Sequence, residues 1–293
     1  MSFIFKGAGV ALVTPFVSGG VNFELMGELI DRQIDAGIDA ILPLGTTGEP
    51  CTMTVAERHD VAEYCVKRVS SRVPVITGCG GNDTRECVEM AERMQDCGSD
   101  ALLVVTPYYN RATQQGLIAH YTAIADAVSI PIMMYNVPSR TGVNMTSETA
   151  ATLSLHPRIR AYKQASESIE QLARDARLLK DAFVFAGNDH MALAALAVGA
   201  MGVVSVAANI DPISVVALTR AFFAGDMALA RDMQTRVATL SEALFCEVSP
   251  IPCKAALEIM GYTVGHPRLP LTPASDEARR RLTNALSALG INR

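Results

Sequence analysis

The feature that most constrains this chain is a series of short apolar runs recurring at regular spacing, at residues 8–13, 40–44, 73–77, 101–105, 131–135, 159–163, 183–186 and 203–206. Eight is the number that a closed barrel of parallel strands requires. Amphipathic stretches separate them; over residues 23–36, Leu25, Leu29, Ile30 and Ile34 share one helical face. Such alternation of strand and helix makes a parallel sheet, and runs that are apolar throughout fit strands covered on both faces. The rival is a doubly wound open sheet, which needs a Gly-x-Gly-x-x-Gly turn after its first strand; here that strand ends Val13-Thr14-Pro15. The expectation is therefore an α/β fold, a (β/α)8 TIM barrel over residues 1–211.

Past residue 211 the strand-like runs stop. Helical patterns follow at 213–223, 227–245, 251–260 and 276–289, punctuated by Gly225 and Pro250, with Gly261 closing the third. A C-terminal helical extension, residues 212–293, is expected to pack on the barrel. A chain of 293 residues, 49% apolar, suits one core with a small appendage. Residues 191–210 are apolar for about the length of a membrane span. Gly199 and Gly202 interrupt them, Ala and Leu precede the break, and Val203, Val204 and Val206 follow it. That pattern reads as a buried helix followed by a buried strand, not a membrane segment.

Several functional classes are disfavoured. Net charge is −5 with no basic run, which argues against a nucleic-acid partner. Seven cysteines, with no Cys-x-x-Cys pair, suggest neither a disulfide framework nor a zinc ribbon and suit a reducing cytoplasm. The first nine residues lack the pattern of a signal peptide, so a cytoplasmic location is expected. His59, His120, His156, His190 and His266 are scattered, so no metal is expected, and no phosphate-binding Gly-x-x-x-x-Gly-Lys loop occurs. No cofactor is expected.

Barrel enzymes gather their chemistry where the strands end. The polar groups that close the runs are Thr14, Gly45-Thr46-Thr47-Gly48-Glu49, Gly78, Thr106 to Tyr109, Tyr135-Asn136, Lys163, Gly187-Asn188-Asp189 and Ser205. Among five lysines, Lys163 alone ends a strand-like run. A barrel lumen disfavours an ammonium, and a desolvated lysine amine attacks ketones to form a Schiff base. The ordinary alternative is a lysine paired with a structural carboxylate. Tyr135 ends the preceding run and should stand on the neighbouring strand, where a phenol can shuttle protons; otherwise it is a core tyrosine. The Gly45–Glu49 segment offers hydroxyls and backbone N–H groups to a carboxylate, although it equally suits an ordinary polar turn.

Taken together, Gly45-Thr-Thr-Gly-Glu49, Thr106-Pro-Tyr-Tyr-Asn110, Tyr135-Asn-Val-Pro-Ser-Arg-Thr-Gly142, Tyr162-Lys163, Gly187-Asn-Asp189 and Gly202-Val-Val-Ser-Val206 resemble the dihydrodipicolinate synthase family, within the N-acetylneuraminate lyase superfamily of class I aldolases. Each motif is weak alone; six in order, over nearly the whole chain, are specific. The resemblance implies condensation of pyruvate with aspartate 4-semialdehyde in lysine and diaminopimelate biosynthesis. It implies that Lys163 is the Schiff-base lysine and Tyr135 its proton donor and acceptor, with Thr46 and Tyr109 completing a relay, Tyr109 from a neighbouring subunit of a homotetramer. It further implies that Thr47 holds the pyruvate carboxylate, that Val204 and Gly187 line that pocket through backbone groups, and that Arg140 binds the carboxylate of the aldehyde. A planar guanidinium suits that second carboxylate; the ordinary alternative is a solvated loop arginine.

Three residues depart from the family pattern: Pro50, Gln164 where an acid is common, and Ser249 where Asn is common. In lysine-inhibited members the segment after Glu49 carries histidines, where Val55 and Arg58 stand here; Asn82, Glu86 and Tyr108 match the rest of that site. Weak or absent lysine inhibition is expected. Two other functions stay open on residues alone: a sibling pyruvate-dependent aldolase acting on sugar acids, and a non-catalytic binding barrel.

Overall fold

The computed structural model describes residues 4–291. Eight parallel strands, β1 (Gly7–Ala11), β2 (Ala40–Leu42), β3 (Ile76–Gly78), β4 (Ala101–Val105), β5 (Ile132–Asn136), β6 (Ile159–Gln164), β7 (Phe183–Ala186) and β8 (Gly202–Ser205), pair in the order β2-β1-β8-β7-β6-β5-β4-β3. The two ends of that row meet. Ile41 bridges Val75, and its amide donates to the Pro74 carbonyl at 3.0 Å. The Gly78 amide donates to Pro43 at 3.0 Å, so the sheet closes into the expected TIM barrel. Helices cover the outside and side chains fill the inside, which is why β1 to β3 are buried along their whole length.

The helices start where capping chemistry dictates. Asn22 accepts from the Leu25 amide to open α1 (Phe23–Asp35), Thr54 and Glu57 form a capping box at α2 (Val55–Val69), and Asp83 accepts from the Arg85 and Glu86 amides at α3 (Thr84–Asp96). Each cap lies in the loop that leaves a strand's carboxyl end, so these short-range bonds also shape the rim of the barrel mouth. On the buried face of α1, Gln33 takes a place the apolar pattern assigned to Ile34: its amide donates to the Ala208 carbonyl at 2.7 Å, while Ile34 is only half-buried.

The first three strands are shorter than their apolar runs. The run at 73–77 yields β3 only from Ile76, because Pro74 has no N–H and offers only its carbonyl to β2. The first run stops pairing after Leu12, since the Val13 amide is taken by Asn209 Oδ1 at 3.1 Å. A hairpin of Phe16–Val17 with Gly20–Val21 lies between β1 and α1 with no counterpart in the apolar pattern. The apolar stretch 191–210 divides into a helix, Ala192–Ala197, and β8. No helix among the described residues is long and apolar enough to cross a membrane.

Helices Pro212–Ala224, Met227–Leu244, Ile251–Ile259 and Asp276–Ala288 complete the chain. Met227–Leu244 packs on Pro212–Ala224 and across the turn Asp189–Met191, which carries its far end over the barrel mouth. Inside the barrel, Phe5 and Phe185 stack with ring centroids 4.4 Å apart. A Cβ on Gly9 would stand 3.0 Å from the Phe5 ring, so that glycine leaves the space Phe5 fills.

Candidate active site

Lys163 and Tyr135 occupy matched positions on adjacent strands: Tyr135 of β5 is in register with Lys163 of β6. Side chains at one register level of a parallel pair point the same way, and both point into the mouth. Lys163 Nζ lies 4.2 Å from the centroid of the Tyr135 ring. The two residues are 5% and 6% exposed, so the amine is held at the edge of the lumen and opens into a cleft of about 410 Å³.

Six of the eight residues singled out from the sequence line that cleft: Lys163, Tyr135, Thr46, Thr47, Arg140 and Gly187. Thr46 and Thr47 sit on a 3-10 turn, Thr46–Gly48, that follows β2. Thr14 Oγ1, at the end of β1, donates to the Gly48 carbonyl at 2.8 Å and ties that turn to the neighbouring strand. Arg140 rides on the helical turn Pro138–Thr141 beyond β5, and its Nη2 donates to the Ser249 carbonyl at 3.2 Å. Because that contact uses the Ser249 backbone, it does not depend on which side chain stands there. Gly187 follows β7; a Cβ there would meet Ala165 Cβ at 2.5 Å, so only glycine lets the ends of β6 and β7 come together.

The other two residues lie elsewhere. Val204 is fully buried within β8, paired with Gly9, and it is Val206, one turn of the pleat further on, that lines the cleft. Tyr109 is 89% exposed, at a left-handed φ of 72°. In the single chain it stands outside the cleft.

Two features of the site escaped sequence reasoning. The first is its roof: Glu242 and Phe245 at the end of Met227–Leu244, with Glu247 and Val248 beyond, close the cleft from the C-terminal side. The second is the role of Asp189, which had appeared only as a strand-end residue. Its carboxylate is 1% exposed, accepts from Ser205 Oγ, and accepts from the Val206 and Ala207 amides at 2.9 and 3.0 Å. Burial pushes its carboxyl pKa up, opposed by those donors and by the charge of Lys163. Asp189 thus orients the backbone that follows β8 and places a carboxylate within electrostatic reach of the amine. Asp and Ser at consecutive strand ends were the available signal; the bond between them was not.

Beside the cleft opens a more apolar recess of about 310 Å³ that shares Thr46, Tyr135, Val137, Arg140, Val248 and Ser249. A separate cavity of about 360 Å³ brings together Val55, Arg58, Asn82, Glu86 and Tyr108. Pro50 lies at the first position of a second 3-10 turn, Pro50–Thr52, where a missing N–H costs nothing.

The arrangement suits covalent capture of a keto acid: an amine, an adjacent phenol, hydroxyls for one carboxylate and a guanidinium for another. Comparison with known proteins points the same way. The sequence matches the profile of the dihydrodipicolinate synthetase family over residues 4–289. It is 48% identical over 290 residues to the 4-hydroxy-tetrahydrodipicolinate synthase of Thermoanaerobacter sp. (strain X514), with 98% of each chain covered. Among solved structures, dihydrodipicolinate synthase from Aquifex aeolicus superposes with a TM-score of 0.96 at 40% identity, covering 98% of this chain and 99% of that one. A monomeric dihydrodipicolinate synthase variant superposes with a TM-score of 0.97 at 38% identity, covering 98% of both chains.

Proposed function

The chain belongs to the dihydrodipicolinate synthetase family, and from that premise we propose that it is a lyase condensing pyruvate with aspartate 4-semialdehyde to 4-hydroxy-tetrahydrodipicolinate, a step toward lysine and diaminopimelate. The observation that carries the assignment is Lys163 Nζ at 4.2 Å from the Tyr135 ring, inside a cleft that also holds Thr46, Thr47 and Arg140.

The chemistry follows from those groups. Thr47 and nearby backbone amides hold the pyruvate carboxylate, which sets the ketone against Lys163. The amine adds to the ketone, and the Tyr135 hydroxyl gives the proton with which the carbinolamine loses water. The resulting imine draws electrons from the pyruvate methyl, which loses a proton to give the enamine. Arg140 holds the carboxylate of the semialdehyde with its aldehyde toward that carbon. The enamine adds to the aldehyde, the substrate's own amine closes the ring on the imine carbon, and Lys163 leaves. Thr46, with Tyr109 of a second copy, relays protons to and from Tyr135.

That last role needs an oligomer. The exposure of Tyr109 outside its own cleft supports its use in a neighbour, and a homotetramer built from two dimers is the proposed assembly, located in the cytoplasm. Val55 and Arg58, in place of histidines, support weak or absent inhibition by lysine; half-maximal inhibition below a millimolar would contradict this.

Borohydride reduction in the presence of pyruvate tests the central claim. A mass gain at Lys163, lost in Lys163→Ala, is expected; no gain sinks the proposal. Offering the unreduced enzyme pyruvate with aspartate semialdehyde, against pyruvate with sugar aldehydes, separates this activity from that of a sibling aldolase.

A further inference from the structure

Lys163 is not the most deeply buried lysine in the chain. Lys254, on the helix Ile251–Ile259, is 1% exposed, and its Nζ lies 2.5 Å from Glu49 Oε1, itself on a side chain 1% exposed. Neither atom has a hydrogen-bond partner beyond this ion pair. Burial pushes the Lys254 pKa down, opposed by the Glu49 charge. Two ions taken out of water to pair with each other gain little net stability, so the pair is better understood by what it arranges.

What it arranges is legible in the two backbones it joins. Glu49 is the left-handed residue, φ 56° and ψ 40°, that closes the turn Thr46–Gly48 and opens the turn Pro50–Thr52. That conformation is disfavoured for a residue with a side chain, and the side chain is what holds it. Oε1 faces Lys254 and Oε2 accepts the Arg268 amide at 3.0 Å. On the other side, the Lys254 amide donates to Pro250 at 3.0 Å, one residue from the Ser249 carbonyl on which Arg140 rests. The Phe16 ring backs the junction, with Lys254 Nζ at 4.0 Å and the Arg268 guanidinium at 4.2 Å from its centroid.

We infer that Glu49 and Lys254 are a positioning pair that sets the turn bearing Thr46 and Thr47 at a fixed distance from the Ser249 support of Arg140, and so holds the two carboxylate receptors of the cleft at the separation the condensation needs. Neither residue lines the cleft that holds Lys163. The inference rests on the proposed reaction, because it assigns one receptor to each substrate. A misplacement of about an ångström costs on the order of a hundredfold in rate.

The test is the double variant Glu49→Gln with Lys254→Met, which removes both charges together and leaves neither unpaired. It is expected to unfold cooperatively near the wild-type temperature. The pyruvate concentration for half-maximal borohydride trapping at Lys163, and the KM for each substrate, should rise at least tenfold. A folded double variant with trapping and both KM values within twofold of wild type overturns the inference. Should it not fold, Lys254→Gln, which keeps a donor facing Glu49, takes its place under the same criteria, and failure of both to fold makes the pair structural only. Wild-type protein that pyruvate does not trap overturns the reaction itself, a result distinct from an unaffected variant.

Discussion

Lys163 and Lys254 show why burial alone does not identify a nucleophile. Both amines are withdrawn from water, but Lys254 faces a carboxylate 2.5 Å away, whereas Lys163 faces a ring and an open cleft with room for a substrate. The residue-scale expectations follow. Tyr135→Phe keeps the ring and its packing and removes only the hydroxyl, so kcat should fall by about 10²–10⁴ while the unfolding temperature stays near wild type, as steady-state kinetics and thermal melts will show. Arg140→Ala leaves the lysine and its phenol untouched. Its expected signature is an aldehyde KM raised roughly 10- to 100-fold, the worth of one charged hydrogen-bonding partner, with pyruvate trapping at Lys163 unchanged; equal losses for both substrates would argue against its assignment.

At the scale of elements, β5 and β6 are locked on their outer face by a polar network. Asn136 Nδ2 donates to Gln164 Oε1 at 3.0 Å, and Gln164 Nε2 donates to Asp175 Oδ2, on the helix Ile169–Leu178, at 2.7 Å. The inner neighbours of Asn136 and Gln164 are Tyr135 and Lys163, so the network fixes the catalytic strands from behind. It also explains the departure at position 164: an acid there would set a second carboxylate against Asp175, whereas the amide donates to it. Burial raises the Asp175 pKa from 3.8 to about 6, and the Ser147 and Gln164 donors offset this only in part. Below the unfolded value the carboxyl is protonated in both states. As pH rises toward 6 the unfolded chain releases a proton that the folded chain keeps, so stability falls across that window and the loss is complete above it. Asp175→Asn, which can still accept from Gln164, should therefore gain on wild type between pH 4 and 7, by up to roughly 3 kcal/mol. Urea unfolding at the two pH values measures this, and an equal difference at both would refute it.

For the whole molecule the open question is which copy Tyr109 serves. Because the chain exposes it outside the cleft that holds Lys163, Tyr109→Phe should lower kcat, and the loss should be complementable. Mixing subunits that carry Lys163→Ala with subunits that carry Tyr109→Phe makes mixed dimers with one intact site, and random pairing restores about a quarter of wild-type activity if the tyrosine acts across a two-fold interface. No recovery beyond the parents would place Tyr109 in its own subunit's site or in none.

The order of strands and helices and the pairing of Tyr135 with Lys163 were legible in the chain, and the strand ends to within a residue or two, because each rests on short-range causes: apolar periodicity, capping residues such as Asn22, Thr54 and Asp83, and the near-neighbour pairing of successive parallel strands. Only the tertiary structure decided that Val206 and not Val204 lines the cleft: Val204 is buried within the paired strand, whereas Val206 lies past the strand's end, where Asp189 holds its amide. It alone showed that Met227–Leu244 roofs the mouth and that Glu49 meets a lysine on the helix Ile251–Ile259. Those contacts join segments far apart in the chain, where no local pattern records which surfaces will meet; what selects them is the packing of the closed barrel as a whole.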